Sequence, residues 1–279
     1  MTFDIDSIKK EIQSEGVCVV PGVFSSNICQ QYISSLENIV NQNAQTGAYF
    51  GSNNVQVVYN YFLYDKALLE ILQSDLIFDV MTSLIGKEFV LISPVARNPR
   101  VRGDLPEGEK TAGIGWHVDS RTITSEVLEL HQPSLMYYAA IALEPFTLEN
   151  AATQYIPKSH LRYQRPADRN ADLSCSVLEA GVGSIVFFDS ALWHRSGEPT
   201  QTSRWSLFNA FGPWYMKPYF RFWENYSPDE LRALPDRIQQ LFHLRCMPPR
   251  NESEGTVTVT KDFSYERIAK KARWTSDCV

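Results

Sequence analysis

The chain has 279 residues, with 26 Lys and Arg against 32 Asp and Glu, for a net charge of −6. Hydrophobic residues make up 44% and charged residues 21%, the proportions of an ordinary globular enzyme. The mild acidity excludes a general nucleic-acid binder, which carries a basic excess, but a local arginine cluster could still hold an anionic small molecule.

Taken in chain order, residues 5–14 space Ile5, Ile8 and Ile12 on one helical face, and Gly16 stops the helix. Val17 to Val20 reads as a short strand ended by Pro21-Gly22. Ser25 or Ser26 can cap a second helix over about 26–42, with Ile28, Tyr32, Ile33, Leu36, Ile39 and Val40 inward. Val55 to Leu63 is rich in β-branched and aromatic residues and predicts a strand. A third helix is expected over 65–85.

At Phe89 the texture changes. Short apolar runs recur at 89–96, 135–143, 152–157, 174–178, 184–188 and 204–211, separated by Gly, Pro and Asn, which predicts a strand-rich region. Helices first and strands afterwards argue against βαβ units. The stretch from Arg97 to Gly115 reads as a long loop, and long loops in compact domains often carry function. Residues 228–244 read as helix, with Ser227 as cap and Pro228 in the first turn. The end, 255–279, offers one strand (Thr256 to Thr260) and a short basic helix.

The longest apolar run, Leu135 to Leu143, falls far short of the roughly 20 residues that span a membrane. The acidic start, Met1 to Asp6, has no signal-peptide core, so a cytoplasmic protein is expected. Cys18, Cys29, Cys175, Cys246 and Cys278 are scattered with no Cys-x-x-Cys pair, against a disulfide framework or zinc ribbon. Cys18 and Cys175 read as buried thiols.

The chemistry is carried by His117-Val118-Asp119, His194 and Arg204. In an extended segment residues i and i+2 share a face, so His117 and Asp119 can present an imidazole and a carboxylate to one point. His194 can join them from another strand. Two His and one carboxylate on one face of an octahedral ion leave open positions, the facial triad of non-haem Fe(II) oxygenases. Arg204-Trp205-Ser206 places a guanidinium and a hydroxyl on one face of a strand. Arg suits two-pronged capture of a carboxylate. A co-substrate that chelates a metal at one end and carries a carboxylate at the other, such as 2-oxoglutarate, satisfies both features.

With these residues the chain resembles the phytanoyl-CoA dioxygenase family of Fe(II)/2-oxoglutarate oxygenases. Glu15 to Phe24 resembles the family's opening strand before its first long helix. Trp116-His117-Val118-Asp119 matches the metal motif. Glu149-Asn150-Ala151 and Ile156-Pro157-Lys158-Ser159-His160 resemble the Glu-Asn-Gly and Pro-Gly-Ser-His segments, with Ala151 and Lys158 in place of the usual glycines. Gly183 to Asp189 and Trp193-His194-Arg195-Ser196 match the strand and turn of the distal histidine. The resemblance implies a mainly β protein with flanking α-helices around a double-stranded β-helix, a jelly-roll core of the cupin type. It implies one domain: a helical part over about 1–88, the core over about 89–215 and a helical segment over about 216–279. It implies His117, Asp119 and His194 as Fe(II) ligands, and Arg204 with Ser206 for the distal carboxylate of 2-oxoglutarate. The implied reaction uses O2, releases succinate and CO2, and oxidises a small organic molecule, with a secondary-metabolite intermediate as one candidate. The carboxylate at 119 favours hydroxylation or another oxidation over halogenation. The alternatives are a cupin-like metal isomerase or hydrolase that ignores 2-oxoglutarate, and a non-catalytic ligand-binding relative.

Substrate contacts are expected among Arg97 and Arg100, Tyr59 and Tyr61, and Trp214. Each has a plainer reading: a solvated loop for the arginines, core packing for the tyrosines, and packing on the C-terminal helix for Trp214. Trp116 and Trp193 should face away from the metal and buttress its ligands. His131, His160 and His243 are expected to be structural. No membrane or nucleic-acid partner is expected, and oligomeric state is not legible.

Overall fold

The computed structural model describes residues 3–46, 55–100, 115–120, 134–245, 255–259 and 265–269. Two antiparallel sheets form the core. The larger has six strands in the order β1-β7-β4-β9-β3-β2. Its strands are β1 (Val17–Val20), β2 (Val55–Tyr59), β3 (Phe89–Pro99), β4 (Tyr137–Ala142), β7 (Ile185–Asp189) and β9 (Ser206–Pro213). The smaller sheet orders β6 (Ser176–Val177), β5 (Gln154–Tyr155) and β8 (His194–Arg195), and an isolated bridge from His117 to His194 extends it. This is the expected jelly-roll arrangement, with two facing sheets and a site between them.

The large sheet is apolar on both faces. Phe89, Leu91, Ala139, Ile141, Ile185, Phe187, Leu207 and Phe211 point outward into a core shared with the helices. Val90, Ile92, Tyr138, Ala140, Val186, Phe188 and Ala210 point toward the smaller sheet. Burial on both sides produces continuous apolar runs in the sequence rather than alternation.

Helices cover the outer face. In α1 (Ile5–Glu15), Ile8 and Ile12 are buried, Asp4 caps the start, and Gly16 closes the end in a left-handed conformation, φ 90°. A side chain at Gly16 would also collide with Leu192 and His160. Further cover comes from α2 (Ser26–Thr46) and α3 (Asp75–Ile85), and from Phe222, Leu231, Ile238, Leu241 and Phe242 of the C-terminal segment. The N-terminal part also supplies β1 and β2, the two edge strands of the large sheet.

Four local expectations change. The strand from Val55 stops at Tyr59, because Asn60 takes a left-handed turn (φ 49°) into a 3-10 turn over Tyr61–Leu63. The helix expected over 65–85 is a 3-10 segment (Lys66–Gln73) capped by Asp65, then α3, with extended Ser74 between them. The helix expected over 228–244 is α4 (Pro228–Ala233) and α5 (Asp236–Leu241). Leu234 is extended before Pro235, whose ring disfavours helix in the residue ahead of it. At the end, β10 (Gly255–Val259) pairs antiparallel with β11 (Tyr265–Ala269), a second strand in the stretch where a basic helix was expected, and residues 270–279 lie outside the described residues. A β-branched strand finds its partner in the next segment, and pairing overrides local helix preference.

The expected loop from Arg97 also begins later, since β3 runs on to Pro99. A bulge at Leu91–Ser93 breaks its register against β9. Before the bulge Val90 and Ile92 face the smaller sheet. After it Ser93, Val95, Arg97 and Pro99 do. One extra residue turns the rest of a strand over.

Candidate active site

The segment 115–120 is an extended strip pinned along its length. Trp116 N–H donates to Arg169 O at 2.8 Å. His117 and His194 exchange both backbone hydrogen bonds, at 3.0 and 3.1 Å. Asp119 and Ser120 both donate to Ser190 O, at 2.8 and 2.9 Å. Gly115 permits the close approach, since a Cβ there would lie 2.5 Å from Arg169 O. The strip therefore holds His117 and Asp119 on one face. The third residue arrives by a turn after β7, where Asp189 Oδ1 accepts from Ala191 N–H at 2.7 Å and the chain doubles back into β8. Burial raises the Asp189 carboxyl.

Both histidines are fixed in the same tautomer. Nδ1 of His117 lies 2.8 Å from Gly115 O, and Nδ1 of His194 lies 2.8 Å from Leu192 O. A carbonyl only accepts, so each Nδ1 carries a proton, and Nε2 is the atom that each ring turns toward Asp119. Those Nε2 atoms converge on Asp119, at 3.7 Å from Oδ1 for His117 and 3.4 Å from Oδ2 for His194. One ligand atom from each residue lies within 4.8 Å of the other two.

The electrostatics suit a cation. Burial and the neighbouring His194 push His117 down to about 4, against the pull of Asp119, so the imidazole is neutral. Burial works to raise Asp119, but hydrogen bonding and charge from His194, with help from His117 and the Tyr138 hydroxyl, hold the carboxyl at about 2. Burial would lower His194 too, yet its bond to Asp119 raises it overall. Trp116 and Trp193 turn away into a cluster with Ile156, as expected. Arg195 and Arg162 cover their rings at 4.6 and 4.7 Å.

The three residues open into a cavity of about 340 Å³. Arg204 and Ser206 line it as well. Arg204 is almost fully buried. Its Nη1 donates to Ser206 Oγ and its Nη2 to Ala151 O, both at 2.9 Å, and the guanidinium lies 4.0 Å from the Phe146 ring centre. Its Nε has no partner. Burial pulls the group below its ordinary range and Arg97 adds to this, with Glu144 opposing. A buried cation with an idle donor is short of an anion. Two imidazoles and one carboxylate converging on one point, with this guanidinium in the same cavity, fit a divalent metal chelated by a dicarboxylate.

Of the expected substrate contacts, Tyr59 and Arg97 line the cavity. Tyr61 does not. It is wholly buried in the outer core and donates to Asn209 Oδ1 at 2.8 Å, because the turn at Asn60 moves it to the helix side. Arg100 also falls outside the lining, beyond the last inward position of β3, Pro99. Trp214 lies past the end of β9, partly exposed, edge-on to Tyr215, and does not line the cavity either. His160 and His243 are structural, donating from Nε2 to Gln13 O and Leu91 O. His131 lies outside the described residues. The sequence reading missed Tyr138, Phe188 and Phe208, which form the cavity floor. Their signal was available as the inward parity of β4, β7 and β9. Ala151 and Lys158 both hold left-handed backbones, φ 65° and 62°, conformations that favour glycine.

Among solved structures, the chain is similar to HygX from Streptomyces hygroscopicus, crystallised with nickel and 2-oxoglutarate. The TM-score is 0.61 and the identity 13%, covering 77% of this chain and 89% of HygX. It is also similar to SnoN, the non-heme alpha-ketoglutarate-dependent epimerase from nogalamycin biosynthesis. There the TM-score is 0.58 and the identity 15%, covering 75% and 83%. At such identities the likeness is one of fold. Two curated relatives, the uncharacterized proteins Mb1539 of Mycobacterium bovis and Rv1501 of Mycobacterium tuberculosis, are 29% identical over 101 residues. That stretch is 36% of this chain and spans only 37% of each relative. The family model for phytanoyl-CoA dioxygenase (PhyH) matches residues 12–205. The chain belongs to the phytanoyl-CoA dioxygenase family, whose members use Fe(II), 2-oxoglutarate and O2.

Proposed function

We propose that the chain is a single-domain Fe(II)- and 2-oxoglutarate-dependent oxygenase that hydroxylates a small organic molecule, with a natural-product intermediate as the favoured kind. The observation that carries this reading is the shared cavity, which holds the Nε2 atoms of both histidines, Asp119 and a buried guanidinium with an idle Nε. The cytoplasm suits its unpaired thiols, Cys18, Cys29 and Cys175.

In this reading His117, Asp119 and His194 hold Fe(II). Their Nδ1 bonds to Gly115 and Leu192 fix the ring orientations, and such supports tune metal affinity. The Tyr138 hydroxyl steadies Asp119. Arg204 takes the distal carboxylate of 2-oxoglutarate, with Ser206 and Ala151 O aligning its fork. When bound, the metal with 2-oxoglutarate and O2 supplies the oxidising power, and succinate and CO2 leave. Phe188 and Phe208 give the cavity an apolar floor that keeps water from the reacting carbon.

An isomerase or hydrolase that ignores 2-oxoglutarate has no use for Arg204 here. The test is succinate formation from 2-oxoglutarate in the iron-loaded protein under air. Succinate from wild type, lost in Asp119→Ala and strongly reduced in Arg204→Ala, supports the reading. Equal rates in wild type and Arg204→Ala contradict it.

A further inference from the structure

The cavity holds a second guanidinium that the proposed machinery does not use. Arg97 lies on β3 directly opposite Ser206 of β9, two residues from Arg204 in register. It faces inward because of the bulge at Leu91–Ser93. Without that extra residue, Arg97 would point into the helix-covered core, the side on which Ala96 now lies. A half-buried arginine has thus been turned toward the site, close enough to His194, Tyr138 and Arg204 to act on the charge of each.

No carboxylate lies within 4.0 Å of Arg97 among the described residues, and its side chain makes no hydrogen bond there. The remaining arginine of the cavity wall, Arg195, is otherwise engaged. Its Nε donates to Gln154 at 2.7 Å, it lies over Trp116, and it borders a neighbouring cleft that contains Glu149 and Glu198. On the reading proposed above, a divalent cation and Arg204 are balanced by Asp119 and the 2-oxoglutarate dianion, with both histidines neutral. Among the described residues, Arg97 is the charge left over. Covering it with an uncharged substrate would strand an unpaired cation away from water, which is costly.

The walls around Arg97 are apolar and aromatic. Val95 and Phe208 flank it on β3 and β9, and Tyr59 faces Val95 from β2. Tyr59 packs 5.3 Å from Phe220, and Tyr59, Tyr219 and Phe220 are exposed beside the cavity. We propose that Arg97 anchors a substrate carboxylate, and that the enzyme acts on small carboxylic acids whose apolar or aromatic body lies against Val95, Phe208 and Tyr59. This rests on the Fe(II)/2-oxoglutarate reading and adds the substrate class to it.

The experiment is an anaerobic titration of full-length protein with Fe(II) and 2-oxoglutarate, followed by 3-phenylpropanoate or its amide as probes. Binding is read by the visible charge-transfer band and by calorimetry. The proposal expects the acid to bind wild type saturably and at least about tenfold tighter than the amide. Arg97→Gln should abolish that preference while keeping 2-oxoglutarate affinity within about threefold. Arg97→Lys should restore part of it, which excludes misfolding as the cause. Equal binding of acid and amide, or binding of neither below about 10 mM, overturns the proposal. So does a tenfold loss of 2-oxoglutarate affinity in Arg97→Gln, which would make Arg97 a co-substrate clamp. Absence of the charge-transfer band in wild type is a different failure, that of the cofactor reading, and the substrate class falls with it.

Discussion

The carbonyl of Ala151 accepts a 2.9 Å hydrogen bond from Nη2 of Arg204, and Ala151 makes it from a left-handed backbone, φ 65°. An L-residue with a Cβ is strained there, at a cost of roughly 1–2 kcal/mol. Glycine relieves that strain but adds freedom to the unfolded chain. Ala151→Gly should therefore stabilise the protein by about 1 kcal/mol or less, a rise of a few degrees in melting temperature. Lys158→Gly, at φ 62° and outside the cavity lining, should do the same. Calorimetric melting checks both. Only Ala151→Gly should alter 2-oxoglutarate affinity, because only that residue holds Arg204.

Arg204→Lys keeps a charge but loses the fork that meets Ser206, Ala151 and a carboxylate together. We expect 2-oxoglutarate affinity to fall about 10- to 100-fold, roughly 1.4–2.7 kcal/mol. Fe(II) affinity, measured by equilibrium dialysis, should stay unchanged because Arg204 touches none of the three metal-site residues.

Tyr61 separates packing from catalysis. Its hydroxyl donates to Asn209, whose Nδ2 already lacks a partner. Tyr61→Phe leaves another buried polar atom unpaired and should cost about 1–3 kcal/mol in denaturant unfolding. Succinate formation below the melting range should be unaffected. A specific loss of turnover with stability intact would return Tyr61 to the cavity.

The main strands and the shared face of His117 and Asp119 were legible because they rest on local rules, whereas the jelly-roll core came with the family resemblance and His194 joins from a strand distant in sequence. The i, i+2 geometry puts His117 and Asp119 on one face, and apolar runs mark doubly buried strands. What was not legible depended on single-residue events. The left-handed turn at Asn60 sends Tyr61 to the core. The bulge at Leu91–Ser93 turns Arg97 into the cavity. The pairing of β10 with β11 adds a strand that the sequence did not announce. A bulge or a turn moves a side chain by a whole face without leaving a pattern in composition, so Tyr59 and Tyr61, alike in sequence, end on opposite sides of the sheet.

His243 gives the fold a pH dependence away from the metal site. Burial lowers its imidazole below the ordinary 6.5, with the bond to Leu91 O opposing. The unfolded chain takes up a proton near 6.5, and the folded chain only at lower pH. His243 therefore supports the fold fully above 6.5, and that support drains away as pH falls from there toward the folded value. Melting temperature should fall with acidification more steeply in wild type than in His243→Asn, which tolerates the left-handed backbone at this position (φ 64°). Measured in a chelator, the similarly lowered His117 contributes equally to both proteins and cancels.

The proposed function stands on one cavity that binds a metal at His117, Asp119 and His194 and a dicarboxylate at Arg204. The most direct measurement is an anaerobic absorbance titration of the metal-free protein with Fe(II), then 2-oxoglutarate. We expect a visible charge-transfer band in wild type that is absent in His194→Ala and needs far more 2-oxoglutarate in Arg204→Ala. Tight Fe(II) binding with no band at saturating 2-oxoglutarate, or a band unchanged in His194→Ala, would contradict it.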